Sequence, residues 1–141
     1  MANDNLSIIK TFLTEFSSGS MNKALTVLTD DAKWSIVQVA RGVTISRSQL
    51  AERITAMRAS FKDNSMALKV VGVIENGDRL SVELESFAIT NLGKTYANKY
   101  CLIFTLSGGK IADVREYNDS MHVSEILLPA MEHTRTQAGA G

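Results

Sequence analysis

One turn signal restricts the fold of this chain more than any other feature. Asn76-Gly77 separates two strand-like runs, Met66 to Glu75 and Arg79 to Thr90. Asn-Gly between alternating apolar residues is the strongest short sign of a β-hairpin. The middle of the chain is therefore predicted to form two long antiparallel strands.

Two further strands extend this hairpin into a meander. Lys94 to Leu106 and Lys110 to Asn118 have the composition of strands, and Ser107-Gly108-Gly109 joins them. Consecutive strands joined by tight turns run in opposite directions, so we expect an antiparallel sheet.

The N-terminal part has helical periodicity instead. Ile9, Phe12, Leu13 and Phe16 recur at i, i+3, i+4 and i+7, which places them on one face of a helix that ends near Gly19. The pattern predicts a first helix with a buried apolar face.

A second helix, a short strand and a third helix are predicted next. Ser20 is a suitable N-cap for the second helix, which ends before Asp30-Asp31, and Trp34 to Ala40 is a β-branched run typical of a strand. Ser46 and Gln49 have the spacing of a capping box at the start of the third helix.

The chain length and the C-terminal composition indicate one domain followed by a tail. The 141 residues, 45% of them hydrophobic, suffice for one core. Ser120 to Met131 is compatible with a helix that Pro129 interrupts, whereas residues 134–141 lack an apolar anchor. We expect a domain over residues 1–133 and a disordered tail over 134–141.

Charge and cysteine content limit the expected binding partners and the expected cellular location of the protein. Fifteen basic and fifteen acidic side chains cancel, so neither nucleic acid nor a membrane surface is an expected partner. The first residues do not resemble a secretory signal, no apolar run is long enough to span a bilayer, and Cys101 is the single cysteine. A cytoplasmic location is the expectation.

Three short segments resemble the SnoaL-like branch of the nuclear transport factor 2-like superfamily. They are Asp30-Asp31-Ala32-Lys33-Trp34, Tyr96-Ala97-Asn98-Lys99-Tyr100 and Arg115-Glu116-Tyr117-Asn118-Asp119. Together with the order of helices and meander, the resemblance covers nearly the whole chain. It implies an α+β fold in which a cone-shaped, curved antiparallel sheet packs with an N-terminal helical hairpin and a third helix around an apolar pocket.

Relatives in this superfamily include ketosteroid isomerases, limonene epoxide hydrolases and polyketide cyclases, but their catalytic groups are mostly missing here. The positions of the isomerase groups correspond to Phe12, Ile36 and a residue near Cys101. The positions of the hydrolase groups correspond to Trp34, Ile36, Ser86, Ala88 and Glu116. Glu116 is the only carboxylate among them, so neither mechanism is supported.

Glu116 is the candidate catalytic residue, because a carboxylate in an apolar cavity has a raised pKa and suits a general acid or base. The alternative is a structural ion pair or a residue at the rim. Strand parity gives Glu116 and Asn118 one face and Asn98 and Tyr100 another, and the resemblance turns both faces toward the pocket.

The other candidates are predicted ligand contacts. Trp34 can stack on a flat ligand, although a strand tryptophan also suits plain core. Asn98 and Tyr100 can orient a carbonyl or hydroxyl, or be satisfied within the protein. His122 can relay protons or close the mouth, or lie on the surface. By resemblance, Phe12 replaces a pocket tyrosine of the isomerases.

Neither a metal nor a cofactor is expected, since the two histidines and Cys101 lack ligand spacing. Cys101 has the parity opposite to Tyr100 and is expected to be a small hydrophobe off the pocket. Glu83 and Glu85 share the outward face of their strand. Because members of the resembling family commonly dimerise through the back of the sheet, a homodimer is expected.

Two functions remain open at this point. The first is a cofactor-free isomerase, cyclase or hydrolase that acts on a small hydrophobic compound, with Glu116 moving a proton. The second is a noncatalytic ligand-binding or dimerisation module, which the missing catalytic groups favour. The enzyme requires a pocket for a small hydrophobic molecule, and the noncatalytic module can also contain one.

Overall fold

The computed structural model describes residues 2–38 and 41–140. The helices are α1 (Ala2–Ser17), α2 (Met21–Thr26), α3 (Arg47–Ala59), α4 (Ser120–His122) and α5 (Leu128–Ala140). A 3₁₀ turn (Lys62–Asn64) follows α3, and a π-helical turn (Val123–Leu127) joins α4 to α5. The strands are β1 (Leu28–Ile36), β2 (Val43–Ser46), β3 (Ala67–Asn76), β4 (Arg79–Ile89), β5 (Thr95–Tyr96), β6 (Lys99–Ser107) and β7 (Lys110–Asn118).

The strands form one curled sheet in the order β2-β1-β7-β6-β4-β3, with the short β5 paired to β4. Irregular pairing between Val70 and Gly72 and between Thr105 and Leu106 marks β-bulges, which bend the strands. The expected α+β cone is confirmed.

The sheet is mixed, so the expectation of a purely antiparallel sheet is wrong. β1 pairs in parallel with β7, for example Trp34 with Val114 and Ile36 with Glu116. Tight turns fix only the relative direction of consecutive strands, whereas β1 reaches β7 through a long-range pairing that no turn constrains.

Both predicted glycine turns form hairpins. Asn76 pairs with Arg79, so the turn residues are Gly77 and Asp78, one position later than expected, and Gly77 has a φ of 60°. Positive φ at the first central residue is the requirement of a type II′ turn. In the β6–β7 turn, Gly108 and Gly109 have φ values of 58° and 78°, as a type I′ turn requires.

The predicted strand Lys94 to Leu106 is divided into β5 and β6 around Asn98. The Oδ1 atom of Asn98 accepts hydrogen bonds from the backbone N–H groups of Lys99 (2.7 Å) and Asp119 (3.1 Å). The side chain therefore takes the place of a strand partner at this point, which a sequence pattern does not reveal.

Near the N-terminus, the boundaries of α2 and β1 differ from the predicted ones because of burial. α2 ends at Thr26, and β1 begins at Leu28 and runs through the two aspartates that were expected to precede it. Leu28, Ala32 and Trp34 are buried on β1 while Asp30 and Asp31 are exposed, so burial outweighs the local preference for a break.

The predicted strand Trp34 to Ala40 ends at Ile36 in the structure, and its last residues, Val39 and Ala40, lie outside the described residues. The strand β2 was not predicted. Its four residues are recognisable only from their pairing with β1, in which Trp34 faces Ile45.

Helix α1 has the predicted buried face, and helix α3 has the predicted start. Ile9, Phe12, Leu13 and Phe16 are at most 6% exposed, which confirms the buried face of α1. The Oγ atom of Ser46 accepts the Gln49 N–H (3.3 Å), and the Gln49 side chain accepts the Ser46 N–H (2.9 Å), so the capping box is present.

The C-terminal segment is helical beyond the predicted end. Pro129 lies two residues after the π-helical turn, where the helix changes its hydrogen-bond spacing, so its missing N–H falls beside this irregularity. Residues 134–140, expected as a disordered tail, continue α5. Thr134 attaches this helix to the domain, since its Oγ1 is 2.8 Å from the Ser60 hydroxyl and accepts a 2.7 Å bond from Asn91.

No helix within residues 2–38 and 41–140 combines the length and the apolar character needed to cross a membrane.

Candidate functional site

The curled sheet, α1, α3 and the C-terminal helices enclose a cavity of about 310 Å³. Most of its wall is aliphatic or aromatic. The polar or partly polar side chains in the wall are Trp34, Arg53, Tyr96, Tyr100, Glu116 and Asn118. Pockets that bind small molecules typically combine an apolar wall with a few polar groups of this kind.

Strand alternation brings the central polar groups together. Glu116 and Asn118 project from β7 toward the cavity, and Tyr100 on β6 is the direct cross-strand neighbour of Asn118. Trp34 reaches the same region from β1, whose last residue, Ile36, is paired with Glu116. Three adjacent strands therefore supply these side chains.

Both carboxylate oxygens of Glu116 accept a hydrogen bond. The indole Nε1–H of Trp34 donates to Oε1 (2.7 Å), and the Asn118 amide Nδ2–H donates to Oε2 (2.7 Å). Each oxygen has a second lone pair, so each can accept one further bond from a ligand. The two hydrogen bonds therefore orient the carboxylate and leave it able to accept bonds from a ligand.

Desolvation by the surrounding protein raises the pKa of Glu116 above its ordinary value. The two hydrogen bonds and the positive charge of Arg53 act in the opposite direction, but they do not cancel this effect. The exposed surface that the side chain retains belongs to the cavity wall. A carboxyl group with a raised pKa is suited to exchange protons near neutral pH.

A further layer orients Asn118. The Gln38 amide donates a 2.7 Å hydrogen bond to the Asn118 Oδ1, which directs the Asn118 N–H groups toward Glu116. Sequence reasoning missed this role of Gln38. Its only signal is that a polar residue interrupts the apolar run after Trp34.

A second polar group is formed by two tyrosines. The Tyr100 hydroxyl donates to the Tyr96 hydroxyl (2.9 Å) and lies 3.0 Å from the Ser86 hydroxyl. Burial is the main cause that raises the pKa of both tyrosines above the ordinary value, so both stay protonated. Tyr96 was not among the predicted site residues, although it shares the strand parity of Tyr100.

Four of the seven predicted site residues line the cavity: Trp34, Tyr100, Glu116 and Asn118. Phe12, Asn98 and His122 do not, and each has a structural reason. Phe12 is fully buried in an aromatic cluster behind the wall, with its ring 6.0 Å from that of Trp34.

Asn98 and His122 support Tyr96 instead of reaching the cavity. Asn98 is 2% exposed, and its amide group is used by Tyr96, Asp119 and the neighbouring backbone. The Nε2 atom of His122 accepts the Ala97 N–H (3.0 Å), and its ring stacks on that of Tyr96 with centroids 5.3 Å apart.

The described residues contain no group of three His, Cys, Asp or Glu side chains placed to hold a metal ion. Cys101 lies away from the cavity, half-buried between Glu83 and Tyr117 in the sheet. The arrangement can therefore hold a small apolar molecule, offer it hydrogen bonds and exchange a proton through Glu116.

Comparison with known structures identifies proteins that have a similar fold. An LEH-like epoxide hydrolase from M. tuberculosis is 16% identical, with a TM-score of 0.73 over 96% of this chain and 98% of that one. PrhC from Penicillium brasilianum is 12% identical, with a TM-score of 0.82 over 95% and 91%. TerC, co-crystallised with polyporic acid, is 19% identical, with a TM-score of 0.73 over 88% and 98%.

These identities establish a shared fold and not a shared activity. A search of curated protein sequences found no match. The profile of the SnoaL-like domain matches residues 9–114, which is more than half of the chain. The chain therefore belongs to the SnoaL-like domain family.

Proposed function

We propose that the cavity binds a small hydrophobic molecule and that Glu116 transfers a proton to or from it, in a cofactor-free isomerase, cyclase or hydrolase reaction. The observation that carries this proposal is a carboxyl group of raised pKa in the wall of an otherwise apolar cavity. Perturbed titratable groups of this kind occur preferentially at functional sites.

The hydrogen bonds of Glu116 support a proton-transferring role. Trp34 and Asn118 hold the carboxylate in one orientation and leave a lone pair on each oxygen for the ligand. Desolvation keeps the pKa raised, so the protonated and ionised forms are closer in free energy at neutral pH than in an exposed glutamate. The same residue could therefore act as acid or base.

The structural neighbours agree with a hydrophobic ligand. One of them was crystallised with polyporic acid, and another is described as an epoxide hydrolase. Neither name identifies the ligand of this chain. They support a search among hydrophobic compounds that carry oxygen atoms.

The test begins with a thermal-shift screen of hydrophobic ketones, lactones and epoxides. A ligand at 100 times its dissociation constant should stabilise the fold by about 2.7 kcal/mol. For any compound that is turned over, Glu116→Gln should lower kcat by roughly 10²- to 10⁴-fold, while binding changes little. The matched control is Glu83→Gln, on the exposed face of β4. Normal turnover by Glu116→Gln would refute the catalytic assignment.

A second candidate is a noncatalytic ligand-binding or dimerisation module. The observation that favours it is that Trp34 and Asn118 satisfy both oxygens of Glu116, as they would for a purely structural carboxylate. In that case the compounds found in the screen should bind without being chemically converted. Glu116→Gln should keep their affinities within a small factor of the wild-type values.

We also propose a homodimer formed through the outer face of the sheet. Ile74 and Phe87 are 73% and 54% exposed on this face of β3 and β4, so a second copy that covered the face would bury apolar surface on both strands. Light scattering at high micromolar concentration should give twice the chain mass. Phe87→Glu should give the monomer mass, while Leu92→Glu, in the β4–β5 turn, should not. A wild-type monomer would exclude the dimer.

A further inference from the structure

We propose that the Tyr96 hydroxyl is a fixed hydrogen-bond donor to an acceptor oxygen of the ligand, so that the cavity selects hydrophobic carbonyl compounds over hydrocarbons of the same shape. The inference rests on the proposed function of the cavity as a ligand site. Its own evidence is the direction of a hydrogen-bond chain that ends at Tyr96.

The chain begins at the Asn98 backbone. Its N–H donates to the Ser86 Oγ (3.1 Å), and within the described residues the Ser86 hydroxyl hydrogen has the Tyr100 hydroxyl (3.0 Å) as its acceptor. Because Tyr100 then accepts from Ser86, its own hydrogen is directed onward to the Tyr96 hydroxyl (2.9 Å). The hydrogens along this chain therefore all point toward Tyr96.

The Tyr96 oxygen also accepts a bond from the Asn98 amide Nδ2–H (3.0 Å). A phenolic oxygen has two lone pairs and one hydrogen, and here both lone pairs are occupied. Among the described residues no acceptor is recorded for the remaining hydrogen. Tyr96 belongs to the cavity wall and is otherwise enclosed by protein, so a molecule in the cavity is the partner that the proposal assigns to this hydrogen.

The surroundings hold the donor in place. The Tyr96 ring stacks against Phe61 and His122, with centroid distances of 5.8 Å and 5.3 Å and interplanar angles of 20° and 15°. A side chain held by two stacked rings loses little further freedom when a ligand binds. Burial raises the pKa of the hydroxyl, which keeps its hydrogen at neutral pH.

Hydrogen bonds within such a chain also strengthen one another, because each donor polarises the next. Tyr100 and Ser86 therefore act as positioning residues for Tyr96. Glu116 lies on the same wall, on the strand next to that of Tyr100, so a bound molecule would meet a neutral donor and a carboxyl group together.

The test compares α-tetralone with tetralin, which has the same bicyclic skeleton without the oxygen. Calorimetry on the full chain should give tighter binding of α-tetralone. Tyr96→Phe should weaken α-tetralone by about 10-fold and leave tetralin within about 2-fold, because one hydrogen bond to the ligand is lost. Tyr117→Phe, whose hydroxyl lies on the outer face beside Arg115, is the control and should change neither.

A measurement on the wild type covers the case in which Tyr96→Phe does not fold. The infrared carbonyl band of bound α-tetralone should lie at lower frequency than in hexane, and Tyr100→Phe should reduce this shift by shortening the donor chain. An unshifted band, or equal wild-type affinities for the two compounds, would overturn the role of Tyr96 while leaving the apolar site intact. If neither compound bound, the proposed ligand site would fail as well.

Discussion

The indole N–H of Trp34 donates a 2.7 Å hydrogen bond to Oε1 of Glu116, although 82 positions separate the two residues in the chain. The parallel pairing of β1 with β7 makes this contact, since Trp34 lies beside Val114 and Ile36 beside Glu116. One strand pairing thus joins an aromatic side chain of the cavity wall to the carboxyl group that is proposed to move a proton.

The raised pKa of Glu116 predicts a specific dependence of stability on pH. At low pH the carboxyl group is protonated in both the folded and the unfolded chain. As pH rises past the ordinary value of about 4.3, the unfolded chain loses this proton first, so the wild type loses stability until pH exceeds the raised pKa of the folded state.

Urea unfolding at a series of pH values checks this sign. The free energy of unfolding of the wild type should fall relative to that of Glu116→Gln as pH rises through this window. A wild type that gained stability relative to Glu116→Gln would mean that the pKa is lowered, contrary to the account.

Trp34→Phe should raise the pKa of Glu116 further. The substitution keeps an aromatic ring beside Phe16, which stacks on Trp34 at 5.5 Å, but removes the N–H that stabilises the ionised carboxylate. We expect the free energy of unfolding to fall by about 1–3 kcal/mol, because the substitution leaves a buried carboxyl oxygen without its hydrogen-bond donor. Carbon-13 NMR titration of the glutamate carboxyl groups measures the pKa, and an unchanged value would show that the N–H bond has no effect.

The capping box of α3 should contribute measurably to stability. Ser46→Ala removes the acceptor for the Gln49 N–H and should lower the free energy of unfolding by about 1 kcal/mol. Ser7→Ala, on the exposed surface of α1, makes the same chemical change without removing a cap. Equal effects of the two substitutions in urea unfolding would exclude a capping contribution.

Local patterns predicted those parts of the fold that depend on neighbouring residues. The apolar face of α1, the capping box and both glycine turns follow from spacing over a few positions, and the structure contains them. The parallel pairing of β1 depends on β7, far along the chain, so no local pattern could reveal it, and the four residues of β2 are too few for a clear alternation.

Site residues could be predicted from the sequence where strand parity determines which side chains face the cavity. They could not be predicted where hydrogen bonds determine the side-chain position. Alternation along β7 and β6 turns Glu116, Asn118 and Tyr100 toward one side, which is where the cavity lies. Asn98 has the same parity, but its amide is drawn into the backbone between β5 and β6. Tyr96 takes the place on the wall that was assigned to Asn98.

The most direct test of the central claim uses Trp34, the only tryptophan of the chain, as a reporter of the cavity. Titration with α-tetralone should change its fluorescence along a saturable curve with one site per chain. Val43→Phe, which adds bulk to the cavity wall, should abolish or strongly weaken this change. Val71→Phe makes the same change at an exposed position and should leave the curve as in the wild type. A fluorescence change that did not saturate, or one that Val43→Phe and Val71→Phe affected equally, would contradict a ligand site against Trp34 and Glu116.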